Sequence, residues 1–171
     1  MDTVISSISI SQLLQHSNSK WVTREHPKID RIACPWLIRR FIDSRAEFLY
    51  VPSDQVRAVA EGEQAIPYDV PDVQFSHRGE LCSFDAFLAD FAIDDPALAE
   101  LALIVRGADT GKPQLTPQSP GLLAISLGLS LNYPDDHAML EQGMVVYDAL
   151  YAWIRSKRTP VQDANLSKRT S

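Results

Sequence analysis

Cysteine is nearly absent from this sequence: Cys34 and Cys82 are the only two in 171 residues. Two thiols cannot form the disulfide framework of a small secreted domain, and the reading is two free thiols in a reducing cytoplasm. Long hydrophobic runs are missing as well. No apolar stretch approaches the ~18–20 residues of a membrane span. The first twenty residues, MDTVISSISISQLLQHSNSK, have neither the basic start nor the apolar core of a signal peptide. Positive charge is in deficit, with 16 Lys and Arg against 22 Asp and Glu and a net charge of −6. Without a basic face, direct nucleic-acid binding by this chain alone is not expected. The Gly-rich dinucleotide fingerprint, the P-loop and the G-x-S-x-G elbow do not occur. These absences leave a soluble cytoplasmic protein with no membrane partner. The 45% hydrophobic and 22% charged composition is that of a globular chain, not a disordered one.

What is present reads as one domain, residues 20–158, between a Ser-rich leader at 1–19 and a polar tail at 159–171. KWVTRE (20–25) favours a strand through Trp21, Val22 and Thr23. DRIACPWLIRRFID (30–43) has helical spacing in Ile32, Trp36, Leu37 and Phe41, with Asp30 as its cap and Pro35 as an awkward early residue. AEFLYVP (46–52) is the clearest strand, and 53–63 a short helix. IPYDVP (66–71) and VQFS (73–76) are short extended pieces. Helices follow at 83–91, 96–106, 118–130 and 135–157, the last with Met139, Met144, Val145, Tyr147, Leu150, Tyr151 and Ile154 on a broad apolar face. Strands early and helices late predict an α+β fold: a small, mostly antiparallel sheet packed by helices, and a mainly helical C-terminal half.

The chemistry concentrates in SHRGELCSF (76–84). His77 sits at a strand end before Gly79. Imidazole and carboxylate both ligate divalent transition metals. The spacing matches no zinc finger, so His77 and Glu80 need partners from elsewhere, with Asp109 and Asp30 as candidates. One divalent transition metal ion is the cofactor this set suggests; a histidine satisfied in a turn is the plainer reading. Cys34, between Arg31 and Arg39 at a helix entry, is a candidate redox thiol, because a helix N-terminus and guanidinium groups stabilise a thiolate. Its apolar neighbours argue instead for an inert, buried thiol. Arg31, Arg39, Arg78 and Arg106 lie near predicted element ends and are candidates for binding an anion, since guanidinium forks match tetrahedral oxyanions. Ion pairing with carboxylates is the alternative for each.

Four stretches, WVTREHPKIDRIACPWLIRRFID (21–43), FSHRGELCSFDAF (75–87), LIVRGADT (103–110) and GMVVYDALYAW (143–153), together resemble the C-terminal domain of the ChrB chromate-resistance family. The resemblance spans about residues 20–157. It implies a bacterial protein of the chromate stress response, and chromate as the small oxyanion partner. Longer members of the family are linked to chromate-responsive control of an efflux transporter through an additional N-terminal region, which the short leader does not resemble. Three readings stand. The chain binds or senses an oxyanion through an Arg/Cys/His pocket. Alternatively it is a metal-dependent enzyme of detoxification or redox defence built on His77 and nearby carboxylates. Or it is a non-catalytic interaction module, a homodimer formed through an exposed helix face.

Overall fold

The computed structural model describes residues 18–158; the expected leader, apart from Asn18 and Ser19, and the expected polar tail lie outside them. Three strands, β1 (Lys20–Arg24), β2 (Glu47–Val51) and β3 (Ile66–Pro67), form one sheet in the order β2-β1-β3. Both pairings are parallel, with Val22 opposite Leu49 and Trp21 opposite Ile66. The fold is α+β, but the expected antiparallel sheet is wrong. The physical reason is connectivity: a parallel pair needs a crossover, usually a helix. Helix α1 (Asp30–Leu37) separates β1 from β2, and α2 (Val56–Glu63) separates β2 from β3.

The sheet is covered on both faces, as parallel sheets are. On one face Val22 packs with Val56, Ala65 and Val70, under α2. On the other, Trp21 and Phe48 enter the main core with residues from α1 and from the four helices that follow: α3 (Ser83–Asp90), α4 (Pro96–Asp109), α5 (Ser119–Asn132) and α6 (Asp136–Arg158). Strand alternation sends neighbouring side chains to opposite faces, which is why Trp21 and Val22 serve different cores. At the centre of the larger core Phe75, Phe87 and Phe91 stack, with Trp21 against Phe75 and Phe87. Helix α6 lies so close to α1 that a Cβ on Gly143 would collide with Ile32 Cγ2. Val145, expected on the apolar face of α6, instead points outward and is 63% exposed.

Pro35 lies inside α1. It has no N–H, so the carbonyl four residues earlier, that of Arg31, loses its helical partner. Two tyrosines compensate: Tyr50 and Tyr68 hydroxyls donate to the Arg31 carbonyl at 3.3 and 3.5 Å. They come from the two strands that flank β1, Tyr50 in β2 and Tyr68 just after β3. The helix then loosens into a π turn, Ile38–Ile42. Because α1 is anchored in this way, its first residues are fixed over the carboxyl ends of the strands, where open parallel sheets hold their ligands.

Candidate functional site

Four segments bring side chains together at that edge. Asp30 is the first residue of α1. Ile29, before it, has φ 27° and ψ −94°, a strained conformation for a β-branched residue. Its N–H donates to Ser126 Oγ and its carbonyl accepts from Tyr147, which holds the strain in place. Asp69 follows β3 with φ 50°, a left-handed conformation that Asp tolerates. The chain then returns past Phe75, whose carbonyl accepts from the Asp69 N–H at 2.8 Å. A tight turn follows, in which Arg78 and Leu81 exchange both backbone hydrogen bonds at 3.0 Å around Gly79, at φ 60°. His77 enters immediately before this turn. Asp109 is the last residue of α4.

His77 Nε2 lies 3.0 Å from Asp109 Oδ2, 3.4 Å from Asp69 Oδ1 and 3.5 Å from Asp30 Oδ2. Donor atoms sharing one ion at ~2.0–2.2 Å sit about 3–3.5 Å apart, the same spacing. One ligand atom each from Asp30, Asp69 and His77 falls within 4.8 Å of the others. Asp30 is fully buried; its carboxylate accepts from the Ser83 and Phe84 N–H groups at 2.6 and 3.3 Å, and so caps α3. Asp30 was expected to cap its own helix; Ile29 holds that position instead. Asp69 accepts from Ser83 Oγ at 2.8 Å. Burial, then the charges of Asp109 and Asp69, push the Asp30 carboxyl well above its usual range. Burial and then Asp69 raise Asp109. His77 is pushed up to about 9, chiefly by its hydrogen bond to Asp69 and against the effect of partial burial.

Of the metal ligands expected from sequence, His77, Asp30 and Asp109 meet here. Glu80 does not: its side chain turns to solvent and pairs with Lys112 at 2.6 Å, which lowers its carboxyl. Asp69 was missed. An antiparallel sheet would scatter strand ends over two edges; only a parallel one sends the residue after β3 to the edge where α1 begins.

The arginines expected to hold an anion do not share one pocket. Arg78 forks onto Asp90, both contacts at 2.7 Å. Arg106 forks onto Asp85 at 2.7 and 3.0 Å. Arg39 meets Glu141 at 3.0 Å and lies over the Phe48 ring. Arg31 alone of the four reaches the cluster, with Nε 3.5 Å from Asp69 Oδ2. Arg24 Nη2 stands at the same distance from that oxygen, and Arg24 Nε is buried with no hydrogen-bond partner.

Cys34 and Cys82 are both free and buried. Burial, reinforced by Asp30, pushes both thiols well up; a nucleophilic thiolate needs the opposite shift. Neither thiol is expected to react with an aromatic disulfide reagent in the native chain, and two per chain are expected to react in denaturant. Rapid native labelling of Cys34 would contradict this.

A small α+β domain on a parallel sheet, with a histidine among three carboxylates at the strand ends, is the class that fold and site define. A family model described as the ChrB C-terminal domain matches residues 21–154. Protein ChrB of Cupriavidus metallidurans is 37% identical over 145 residues, 84% of this chain and 43% of that protein. The chain thus spans less than half the length of the curated relative it matches. No solved structure matches it. The chain belongs to the ChrB chromate-resistance family, as the motifs implied. No helix among the described residues is long and apolar enough to cross a membrane.

Proposed function

We propose that this chain serves in chromate resistance by holding one divalent metal ion with Asp30, Asp69 and His77, Asp109 completing the set. The observation that carries the reading is His77 Nε2 within 3.0–3.5 Å of three separate carboxylates. Carboxylates crowded at a buried edge repel one another, and a single imidazolium offsets only part of their charge. A divalent cation offsets more. Oxygen-rich ligands with one imidazole suit Mn²⁺, Fe²⁺ or Zn²⁺. The Ser83 hydroxyl and the α3 N–H groups orient the carboxylates from behind, as second partners do at metal sites. A cation held there would polarise a bound oxygen or lower the pKa of water.

The test is elemental analysis of untagged chain purified without chelator. Near-stoichiometric divalent metal is expected, falling to background in Asp69→Asn. No metal in the wild-type chain, even after incubation with Mn²⁺, Fe²⁺ and Zn²⁺, would sink the reading.

The unpartnered Arg24 Nε beside Arg31 favours a second reading, in which this pair meets a small oxyanion such as chromate. The anion site then lies at Arg24 and Arg31, whose contacts with Asp69 are long at 3.5 Å, apart from Arg39, Arg78 and Arg106, which pair with other carboxylates at 2.7–3.0 Å. Saturable chromate binding lost in Arg31→Met, with metal content unchanged, is the result this reading requires.

A further inference from the structure

Helix α5 is apolar on both sides: Leu122 lies in the main core and Leu123 and Leu129 pack against it. Its buried residues are Ser119, Leu122 and Ser126. Both serine hydroxyls are used on backbone: Ser119 Oγ donates to the Ile104 carbonyl at 2.9 Å, and Ser126 Oγ accepts from the Ile29 N–H at 3.3 Å. The outer side carries Ile125, Leu127 and Leu131, which are 49%, 43% and 84% exposed. Leu131 is the most exposed large hydrophobic residue among the described residues. A helix with one side in water carries polar residues on that side. Nor does α5 contain a single Asp, Glu, Lys or Arg in its fourteen residues.

The outer side also has a shape. Gly121, Ala124, Ile125 and Gly128 recur at three- and four-residue spacing and share a face. A Cβ at Gly121 or Gly128 would meet nothing within 4 Å, so the packing of this chain does not require glycine there. A glycine inside a helix destabilises it relative to alanine. What the missing side chains create is a shallow floor, with Ile125 on one side and Leu127 and Leu131 on the other.

We propose that this face receives a second copy of the chain, α5 against α5 across a two-fold axis. Floor and walls lie on the same helix, so one copy supplies the apolar knobs that the floor of the other accepts, the self-complementarity a two-fold contact needs. Charge selects the same occupant. Each copy carries −6, and copies meeting through charged surface repel. Across α5 they meet without burying an ion or opposing like charges. A partner recognised through charge would find nothing on this helix to select it. A fourteen-residue helix spans about 21 Å, so contact limited to α5 belongs at the small end of specific interfaces, near 1,000 Å² in total. The dimer is therefore an equilibrium species that forms with concentration.

Sedimentation equilibrium of the full chain, over a range of concentrations, tests this with wild type, Leu131→Glu and Gly128→Glu. Wild-type mass is expected to rise toward twice the 19.1 kDa of one chain. Both variants are expected to remain single chains, or to associate at least about tenfold more weakly. Leu131 is mostly exposed and Gly128 opens onto empty space, so both variants keep the fold; circular dichroism and melting verify it. A wild type that stays at one mass up to its solubility limit overturns the proposal. So does either folded variant dimerising with wild-type strength. A single-mass wild type whose α5 amides exchange more slowly than those of Leu131→Glu would assign the cover to another segment of the same chain, which also overturns it.

Discussion

Affinity of the chain for Mn²⁺ is expected to rise about a hundredfold between pH 6 and pH 8, and to lose most of that slope in His77→Gln. A metal ligand must give up its proton, and His77 is held protonated up to about 9 by its hydrogen bond to Asp69, with Asp30 and Asp109 adding to the effect. Below that value each unit of pH leaves about one proton to displace, a factor of about ten in affinity. Asp30 and Asp109 are themselves raised, which steepens the dependence at its acidic end. Stability of the metal-free chain has its own sign. His77 has a folded pKa above its ordinary 6.5. Its contribution is complete below 6.5 and is lost as pH rises through about 9. Raising the pH therefore weakens the metal-free fold while strengthening metal binding, and melting with and without Mn²⁺ should diverge from pH 6 to pH 9. Calorimetric titration that finds wild-type affinity independent of pH would remove His77 from the ligand set.

Phe87→Ala is expected to be the most damaging single change to the fold, at about 3–5 kcal/mol. Phe87 is fully buried. It stacks on Phe75 with ring centroids 4.5 Å apart, lies parallel to Phe91 at 6.2 Å, and meets Trp21 and Tyr68 obliquely. Alanine removes the ring that joins the sheet to α3 and leaves a cavity with rigid walls. For a chain of this length the melting temperature should fall by roughly 6–20 °C. Phe91→Ala, at a partly buried position, should cost clearly less. A Phe87→Ala melt within 2–4 °C of wild type, about 1 kcal/mol, would mean that the core repacks around the gap.

The helices were legible because their apolar spacing, and in α4 the Asp95-Pro96 start, are local. Asp95 does cap α4, accepting from the Ala97 and Leu98 N–H groups. The direction of the sheet is not a local property. The first two strands read correctly alone, but of the extended pieces expected at 66–71 and 73–76 only Ile66–Pro67 is a strand, with an isolated bridge at Phe75. Pairing depends on the crossovers, and the alternation of strand and helix from 20 to 67 was the available clue. Misreading it hid Asp69, which reads as one residue of the extended piece 66–71 until all strand ends fall on one edge. His77, Asp30 and Asp109 were legible as chemistry because they are polar residues at the ends of apolar elements. Glu80 had the same appearance three positions from His77. The turn at Gly79 directs it outward, and composition carries no such information. The arginines were legible as a group, but which carboxylate each would meet depends on contacts such as Arg106 with Asp85, 21 positions apart.

His77 and the three carboxylates around it belong to segments spread from position 30 to position 109. No fragment that lacks α1 or the end of α4 contains the full set, so the cluster exists only when most of the domain is assembled. A ligand that binds only the assembled state stabilises it by mass action, about 2.7 kcal/mol at a hundred times its dissociation constant. Metal supply would then set how long the chain survives proteases that cut its opened forms. A cell taking up more of that metal would hold more of the protein with no change in its synthesis, so abundance itself would become a readout of the ion.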